Sequence, residues 1–295
     1  ASAATIKFLP MLNPDGAERF QRENAVGIDV NRDARRLSTP EAQTLKAVRD
    51  RFEPAFGFNL HDQNARTRAG RNGRQAAIAL LAPPADSART WGPVRSRARL
   101  VAAGLAALFS TEIPGRVARY DDAFNPRAFG DLMQSWGTSL VLIESGAMPD
   151  DPEKQALRRL HVAAILGALE AIATGSYAFT DPSVYERLAI NSGGAYDVLV
   201  RGGAIVLPGK DPLRADLAIN YDDAVARTGG RVREVGDLST AVAIDTVDAT
   251  GGFLHPRPEA LVRDGAASWL RVGATAAIDL RSGADPASPL IRKLD

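Results

Sequence analysis

The chain has 295 residues, of which 45% are hydrophobic and 24% charged, proportions that exclude disordered and fibrous proteins. Its 36 basic and 35 acidic residues almost cancel, which argues against a nucleic-acid-binding protein, and its apolar runs are too short to span a membrane. There is no cysteine, so a metal ion could be held only by His, Asp or Glu. The histidines are His61, His161 and His255.

The first 60 residues contain signals for a strand, a turn, a helix and a second strand. Thr5–Leu12 is rich in β-forming residues and is followed by the turn-forming sequence Asn13-Pro14-Asp15-Gly16. Thr39, Pro40 and Glu41 are typical of a helix N-terminus, and the apolar residues that follow them have helical spacing. Phe56–Leu60 predicts a buried strand that ends just before His61.

The next hundred residues continue the alternation of helices and strands. Helices are predicted over Arg97–Phe109 and Pro152–Ala173, and Thr138–Ile143 reads as an apolar strand that ends at Glu144. Helices alternating with strands predict an α/β domain with a largely parallel or mixed sheet. A solvated loop is predicted for residues 64–75, which contain four arginines (Arg66, Arg68, Arg71 and Arg74).

The last hundred residues differ in character, because short β segments separated by turns replace the helices. They predict a small all-β domain over residues 195–295, after an α/β domain that occupies residues 1–176. The two remaining histidines have structural interpretations. His161 lies within a helical pattern and is expected to pack or to face solvent, and His255 precedes Pro256 and is expected in a loop.

Four separated features form a candidate site: the turn Asn13-Pro14-Asp15-Gly16, the segment from Arg22 to Asp33, His61 and Glu144. In the second, Arg22 precedes an Asn31-Arg32 pair, and an arginine fork beside an amide suits the recognition of a carboxylate. His61 follows a predicted strand, and Glu144 is a lone carboxylate at the end of an apolar strand, where burial would raise its pKa towards that of a general base.

Other interpretations of these residues are structural. Arg22 and Arg32 could pair with Asp29 and Asp33, and Glu144 could cap the helix that follows it.

The order and spacing of these groups resemble the M14 family of zinc carboxypeptidases, the carboxypeptidase A-like metallopeptidases. The resemblance is carried by P-M-L-N-P-D-G, then by R-x-N-x-x-G-x-D-x-N-R-D, then by a strand ending in His and a strand ending in E-S-G. It covers roughly residues 5–175. It implies a mixed-sheet carboxypeptidase-like domain, one zinc ion, and hydrolysis of C-terminal peptide bonds.

The resemblance also implies a role for each matching residue. His61 is similar to the last of three zinc ligands, and Glu144 to the general base that activates the metal-bound water. Arg22 is similar to the arginine that polarises the scissile carbonyl. Asn31 and Arg32 are similar to the pair that grips the C-terminal carboxylate of the substrate.

A further match is Tyr120, which lies 24 residues before Glu144 and is similar to the tyrosine that closes over the substrate in that family. The chain departs from the family at the other two zinc ligands, an H-x-x-E motif that precedes the N-P-D-G turn. The 12 residues before Asn13 contain neither His nor Glu. We therefore expect the catalytic domain to be incomplete at its N-terminus, and the chain as given to be inactive.

Two alternatives remain open. One is an N-acyl amino acid deacylase of the aspartoacylase-like type, which also uses an Asn-Arg pair and a Glu. The other is a non-catalytic protein that binds peptide C-termini. The expected partners are peptide or protein C-termini, with no nucleic acid and no membrane span, and the family resemblance implies a secreted or periplasmic location.

Overall fold

The structure is a computed structural model that describes residues 4–265 and 267–295. The chain divides into two compact units. The first contains residues 4–63, Ile78–Ser145 and Arg158–Asn191, and the second contains Asn64–Ala77, Gly146–Leu157 and Ser192–Asp295. Helices with a mixed sheet, together with a β-rich part, make up the predicted α/β class.

The elements are numbered in chain order. The α-helices are α1 (Pro14–Arg19), α2 (Pro40–Phe52), α3 (Pro93–Glu112), α4 (Phe129–Ser135), α5 (Gln155–Thr174) and α6 (Ser183–Glu186). The strands are β1 (Phe56–Asp62), β2 (Arg68–Ala69), β3 (Ile78–Leu81), β4 (Val117–Arg119), β5 (Ser139–Ser145), β6 (Asn191–Ser192), β7 (Tyr196–Arg201), β8 (Ala204–Ile205), β9 (Leu213–Arg214), β10 (Asp216–Asp223), β11 (Thr228–Gly236), β12 (Ala243–Asp248), β13 (Phe253–Pro256), β14 (Leu261–Asp264), β15 (Ala267–Leu270), β16 (Ile278–Arg281) and β17 (Leu290–Leu294).

The first unit is built on a four-stranded mixed sheet with the strand order β1-β5-β3-β4. Strand β5 pairs in parallel with β1 and antiparallel with β3, and β4 is parallel to β3. The residues of β5 are buried up to Glu144, as expected for a strand that is covered on both faces. The predicted strands that lead to His61 and Glu144 are therefore confirmed, and they are neighbours in the sheet.

Side chains alternate between the two faces of β5, and each face has its own covering layer. On one face, Ser139 Oγ accepts a hydrogen bond from Arg97 Nε of α3 at 3.0 Å, and Ser145 Oγ lies 2.9 Å from His161 Nε2 of α5. Of the two expectations for His161, packing or exposure to solvent, the structure shows packing, because its ring also lies beside that of Phe109.

The opposite face of β5 carries Leu140 and Glu144. Leu140 is buried in a cluster with Val30, which begins a short 3-10 helix (Val30–Arg32), and with Phe129 of α4. Glu144 therefore faces the layer that also contains the Asn-Arg pair of the sequence motif.

Helix α2 begins where the sequence predicts. Thr39 is its N-cap, and its hydroxyl accepts a hydrogen bond from Ala42 N at 3.2 Å, with Pro40 in the first turn. The Thr39 N–H in turn donates to Asp33 Oδ2 at 2.7 Å. These contacts anchor the segment between the 3-10 helix and α2.

The prediction of a strand over Thr5–Leu12 is wrong, because the structure has no strand between residues 4 and 12. A strand needs a hydrogen-bonded neighbour, and Ile6, Phe8 and Met11 are instead largely exposed. The sequence that follows is more than a turn, since Asn13 Oδ1 accepts a hydrogen bond from Gly16 N at 3.1 Å and so caps α1.

The second unit is β-rich, as predicted. Its two larger sheets have the strand orders β11-β10-β7-β12 and β17-β16-β13-β8-β9. Apolar side chains from both sheets share one core, among them Val198, Leu217, Leu254 and Ile278. His255 lies in β13 with Nε2 at 2.9 Å from Gly283 O, so the prediction that it lies in a loop is wrong.

The segment 64–77 belongs to this second unit, and its arginines differ from the prediction of a solvated loop. Arg66 Nε donates to the buried carboxylate of Asp197 at 2.9 Å, and Arg68 is only 7% exposed. Arg71 and Arg74 are less enclosed, as predicted. The segment is therefore tied to its unit by an ion pair that no local pattern indicates. Within the described part of the chain, every helix is either too short or too polar to cross a bilayer.

Thr39→Ala removes the hydroxyl that caps α2, so we expect it to lower the free energy of unfolding by about 1 kcal/mol. Thr39→Ser keeps the oxygen and should retain most of the stability. Urea denaturation followed by circular dichroism measures both variants. Equal losses in the two would show that the missing methyl group, rather than the cap, accounts for the effect.

Candidate active site

The parallel pairing of β1 with β5 brings the two central candidate residues together. In this register His61 lies directly opposite Glu144. Neighbouring strands are about 4.8 Å apart, and residues opposite each other in a parallel pair point to the same face. The side chains of His61 and Glu144 therefore stand side by side at the C-terminal ends of their strands.

Glu144 is buried, with only 9% of its surface exposed. Burial raises the pKa of its carboxyl to about 7, and the negative charge of Asp62 adds to this rise while Arg22 opposes it. A carboxyl with this pKa exchanges its proton near neutral pH, which suits a general base. The interpretation of Glu144 as a helix cap is wrong, because α5 begins only at Gln155.

His61 has the opposite shift. Burial lowers the pKa of its imidazole, the charges of Arg22 and Arg32 lower it further, and Asp29 partly opposes them. Nearby positive charge disfavours a second cation. The neutral imidazole of His61 is thus favoured, and both arginines of the predicted site lie within electrostatic range of it.

Asp29 organises the cationic side of the site. Its Oδ2 accepts hydrogen bonds from Arg22 Nε at 3.1 Å and Nη2 at 3.0 Å, and its Oδ1 accepts one from Asn31 N at 2.9 Å. The alternative that Arg22 pairs with Asp29 is therefore confirmed. The Arg22 side chain remains 61% exposed, so this pair leaves it accessible.

The Asn-Arg pair lies on the short 3-10 helix. Asn31 Oδ1 accepts a hydrogen bond from Phe129 N at 2.9 Å, so the NH₂ group carries the donors of this amide. Arg32 Nη1 donates to Asn31 O at 2.7 Å, and the half-buried guanidinium keeps further donors. The alternative pairing of Arg32 with Asp33 is wrong, because Asp33 accepts from Thr39 instead.

Tyr120 follows β4 and is held there by a hydrogen bond from its N–H to Leu80 O at 2.8 Å. Burial raises the pKa of its phenol, and the charge of Glu144 raises it further, whereas Arg32 and Arg22 lower it. The structure therefore brings Tyr120 into the same electrostatic neighbourhood as the other candidates. Its role towards a substrate stays a prediction.

Two acidic residues of this neighbourhood were not identified from the sequence. Asp62 follows His61 directly, and its charge acts on Glu144. Asp131 in α4 is 8% exposed, and burial raises its pKa to about 6 although Arg32 and Arg95 oppose the shift. The available signal for Asp131 was a carboxylate inside the otherwise apolar run from Phe129 to Met133.

The zinc ion implied by the resemblance does not fit the donors present. In residues 4–265 and 267–295 no three His, Asp or Glu side chains cluster in a way that could hold a metal ion. His61 has guanidinium groups among its neighbours, and zinc sites use three or four protein ligands. The described residues therefore place one imidazole near two guanidinium groups and do not assemble the ligand set of a zinc centre.

A cavity of about 200 Å³ lies elsewhere in the first unit, between α3 and α5, and its lining is mostly apolar. None of the candidate site residues lines it. The candidate site is therefore defined by its residues and their charges, not by this cavity.

No family model and no curated protein matches the chain. Among solved structures, an N-acyl-D-glutamate deacylase from Bordetella bronchiseptica, complexed with zinc and a phosphonate inhibitor, is 28% identical over 21% of this chain and 12% of its own, at a TM-score of 0.17. A D-aminoacylase mutant in complex with copper chloride is 26% identical over 21% of this chain and 11% of its own, also at 0.17. A D-hydantoinase is 22% identical over 24% of this chain and 15% of its own, again with a TM-score of 0.17. The chain thus spans a small fraction of each solved protein, and likeness at this level carries no argument about fold or activity.

We expect the chain to bind zinc weakly, because one imidazole cannot hold the ion. Metal analysis after dialysis against a zinc buffer measures the bound zinc. Near-stoichiometric zinc that His61→Ala does not remove would reveal ligands other than His61.

Glu144→Gln should alter the pH dependence of stability. The pKa of Glu144 is raised in the folded state, so its contribution is fully present below the ordinary pKa and is lost as the pH rises through about 7. Relative to the wild type, the variant should therefore gain about 2 kcal/mol between pH 5 and pH 8. Urea unfolding at both pH values tests this, with the exposed Glu112→Gln as control, and an equal difference at both pH values contradicts the desolvation of Glu144.

Proposed function

We propose that the first unit recognises the free carboxylate of a peptide C-terminus or an acylated amino acid, in a hydrolase that cleaves the adjacent amide bond. The observation that carries this proposal is the in-register pairing of His61 with Glu144 beside the cationic pair Arg22 and Arg32. A carboxylate-binding group next to a buried base is the arrangement that such a reaction requires.

Four side chains have a defined task in this proposal. The Arg32 guanidinium and the Asn31 amide bind the two oxygens of the substrate carboxylate, as a fork of donors does. The exposed Arg22 is left to contact the oxygen of the scissile carbonyl. Glu144 takes a proton from the attacking water and returns it to the leaving amine, which its pKa of about 7 favours. Zinc enters no step, because the donors of the described residues do not fit it.

The carboxypeptidase and the N-acyl amino acid deacylase share this chemistry and differ in what is joined to the amino acid. A second candidate function is binding of peptide C-termini without cleavage. It is favoured by one observation, which is that the residues of the described ranges do not assemble a three-ligand metal site.

Binding of N-benzoyl-phenylalanine, measured by calorimetry against its carboxamide, tests the recognition step. A charge-assisted contact contributes about 1.5–3 kcal/mol, so Arg32→Ala should weaken binding of the acid by about 10- to 100-fold and leave the amide unaffected. The exposed Arg36→Ala is the matched control. Equal affinity for acid and amide would contradict carboxylate recognition.

Turnover separates the two candidate functions. Any hydrolysis of the acid that the chain shows should disappear in Glu144→Gln, whereas Arg32→Ala should act mainly through KM. Hydrolysis that persists in Glu144→Gln would overturn the assignment of the base. Binding of the acid without any turnover would support the non-catalytic candidate.

A further inference from the structure

Helix α5 has an outer face that is unusually apolar for a solvent-exposed surface. Val162 is 60% exposed and Leu166 is 61% exposed, one helical turn apart. The inner face is occupied, since Ala164 and Ala168 are buried. The two large side chains are therefore not part of the core of the unit.

Small residues lie beside the two large ones on this face. Ala163 is exposed beside Leu166, and Gly167 is exposed at the edge of this face that borders the cavity between α3 and α5. Alternating large and small side chains let two helices approach closely, because a side chain of one helix fits over a small residue of the other.

Charged residues border the apolar face at its two ends. Arg159 lies one turn before Val162 and is exposed, and Glu170 lies one turn after Leu166. They are 11 residues apart, or about 16 Å along the helix axis, which is too far for a pair within one helix. Within the described ranges, neither side chain takes part in an ion pair.

We propose that this face of α5 binds the same face of a second copy of the chain in an antiparallel arrangement. A twofold axis midway between positions 164 and 165 places Arg159 opposite Glu170 of the other copy. The same axis places Leu166 opposite Ala163 of the other copy. One operation therefore matches charge with opposite charge and the large Leu166 with a small residue, as a self-complementary twofold interface requires.

This complementarity identifies a second copy of the chain as the partner that binds this face of α5. An unrelated partner would have to supply an acidic and a basic group at the spacing that α5 already has, whereas a second copy supplies them in reverse order. A contact of two helices is at the small end of interface sizes, so we expect a reversible dimer with a dissociation constant of about 10–100 µM.

Sedimentation equilibrium between about 5 µM and 500 µM, which brackets that constant, measures the association. Leu166→Glu should weaken it at least tenfold, since it places a charge in the apolar centre. Ile291→Glu in β17 is the matched control, because Ile291 is similarly exposed at 60%, and it should leave association unchanged. A wild-type chain that stays monomeric over this range overturns the proposal.

Charge exchange gives a second test that does not perturb the apolar centre. Arg159→Glu and Glu170→Arg should each abolish self-association by opposing like charges, and the double variant should restore it. An equimolar mixture of the two single variants should also form dimers, because both cross-helix pairs then have opposite charge. If neither the double variant nor the mixture associates, the antiparallel arrangement is overturned. Circular dichroism establishes that every variant is folded.

Discussion

The in-register pairing of β1 with β5 is the interaction on which the candidate site depends. Successive side chains of a strand point to opposite faces, so a slip of one residue would turn Glu144 towards α3 and α5. Contacts on both faces oppose such a slip. Leu140 is packed beneath the 3-10 helix, and the hydroxyls of Ser139 and Ser145 are bonded to α3 and α5. The position of the base therefore follows from packing at the other residues of its strand.

The electrostatics of the site follow from the same geometry. Burial favours the neutral forms of both Glu144 and His61, and the guanidinium groups of Arg22 and Arg32 favour negative charge on whatever binds beside them. Asp29 holds Arg22 and the turn that carries the Asn-Arg pair, so one carboxylate positions the donors from two parts of the motif. Such a surface suits an anionic ligand. This charge balance is also the reason that the donors fit a carboxylate better than a metal ion.

The helices around the sheet have two separate tasks. The buried sides of α3 and α5 cover the sheet and hold strand β5, whereas the outer side of α5 presents Val162 and Leu166 to solvent. The helical period of 3.6 residues separates these sides, so changes to one need not disturb the other. Self-association through α5 is for that reason independent of the chemistry proposed for the opposite face of the sheet.

Much of the fold was readable from the sequence alone. Helix α2 and strands β1 and β5 were predictable because local signals define them: a cap with a proline, and short apolar runs. The same local reasoning failed for Thr5–Leu12, since a strand exists only when a neighbour satisfies its hydrogen bonds.

The identity of the candidate residues was also set by the sequence, through the order of short motifs. Their proximity, the pairing of Arg22 with Asp29, the burial of Arg68 and the shifted pKa of Asp131 were decided only by the tertiary structure. Charge interactions and desolvation depend on distances between residues far apart in the chain, and no pattern in the sequence encodes those distances.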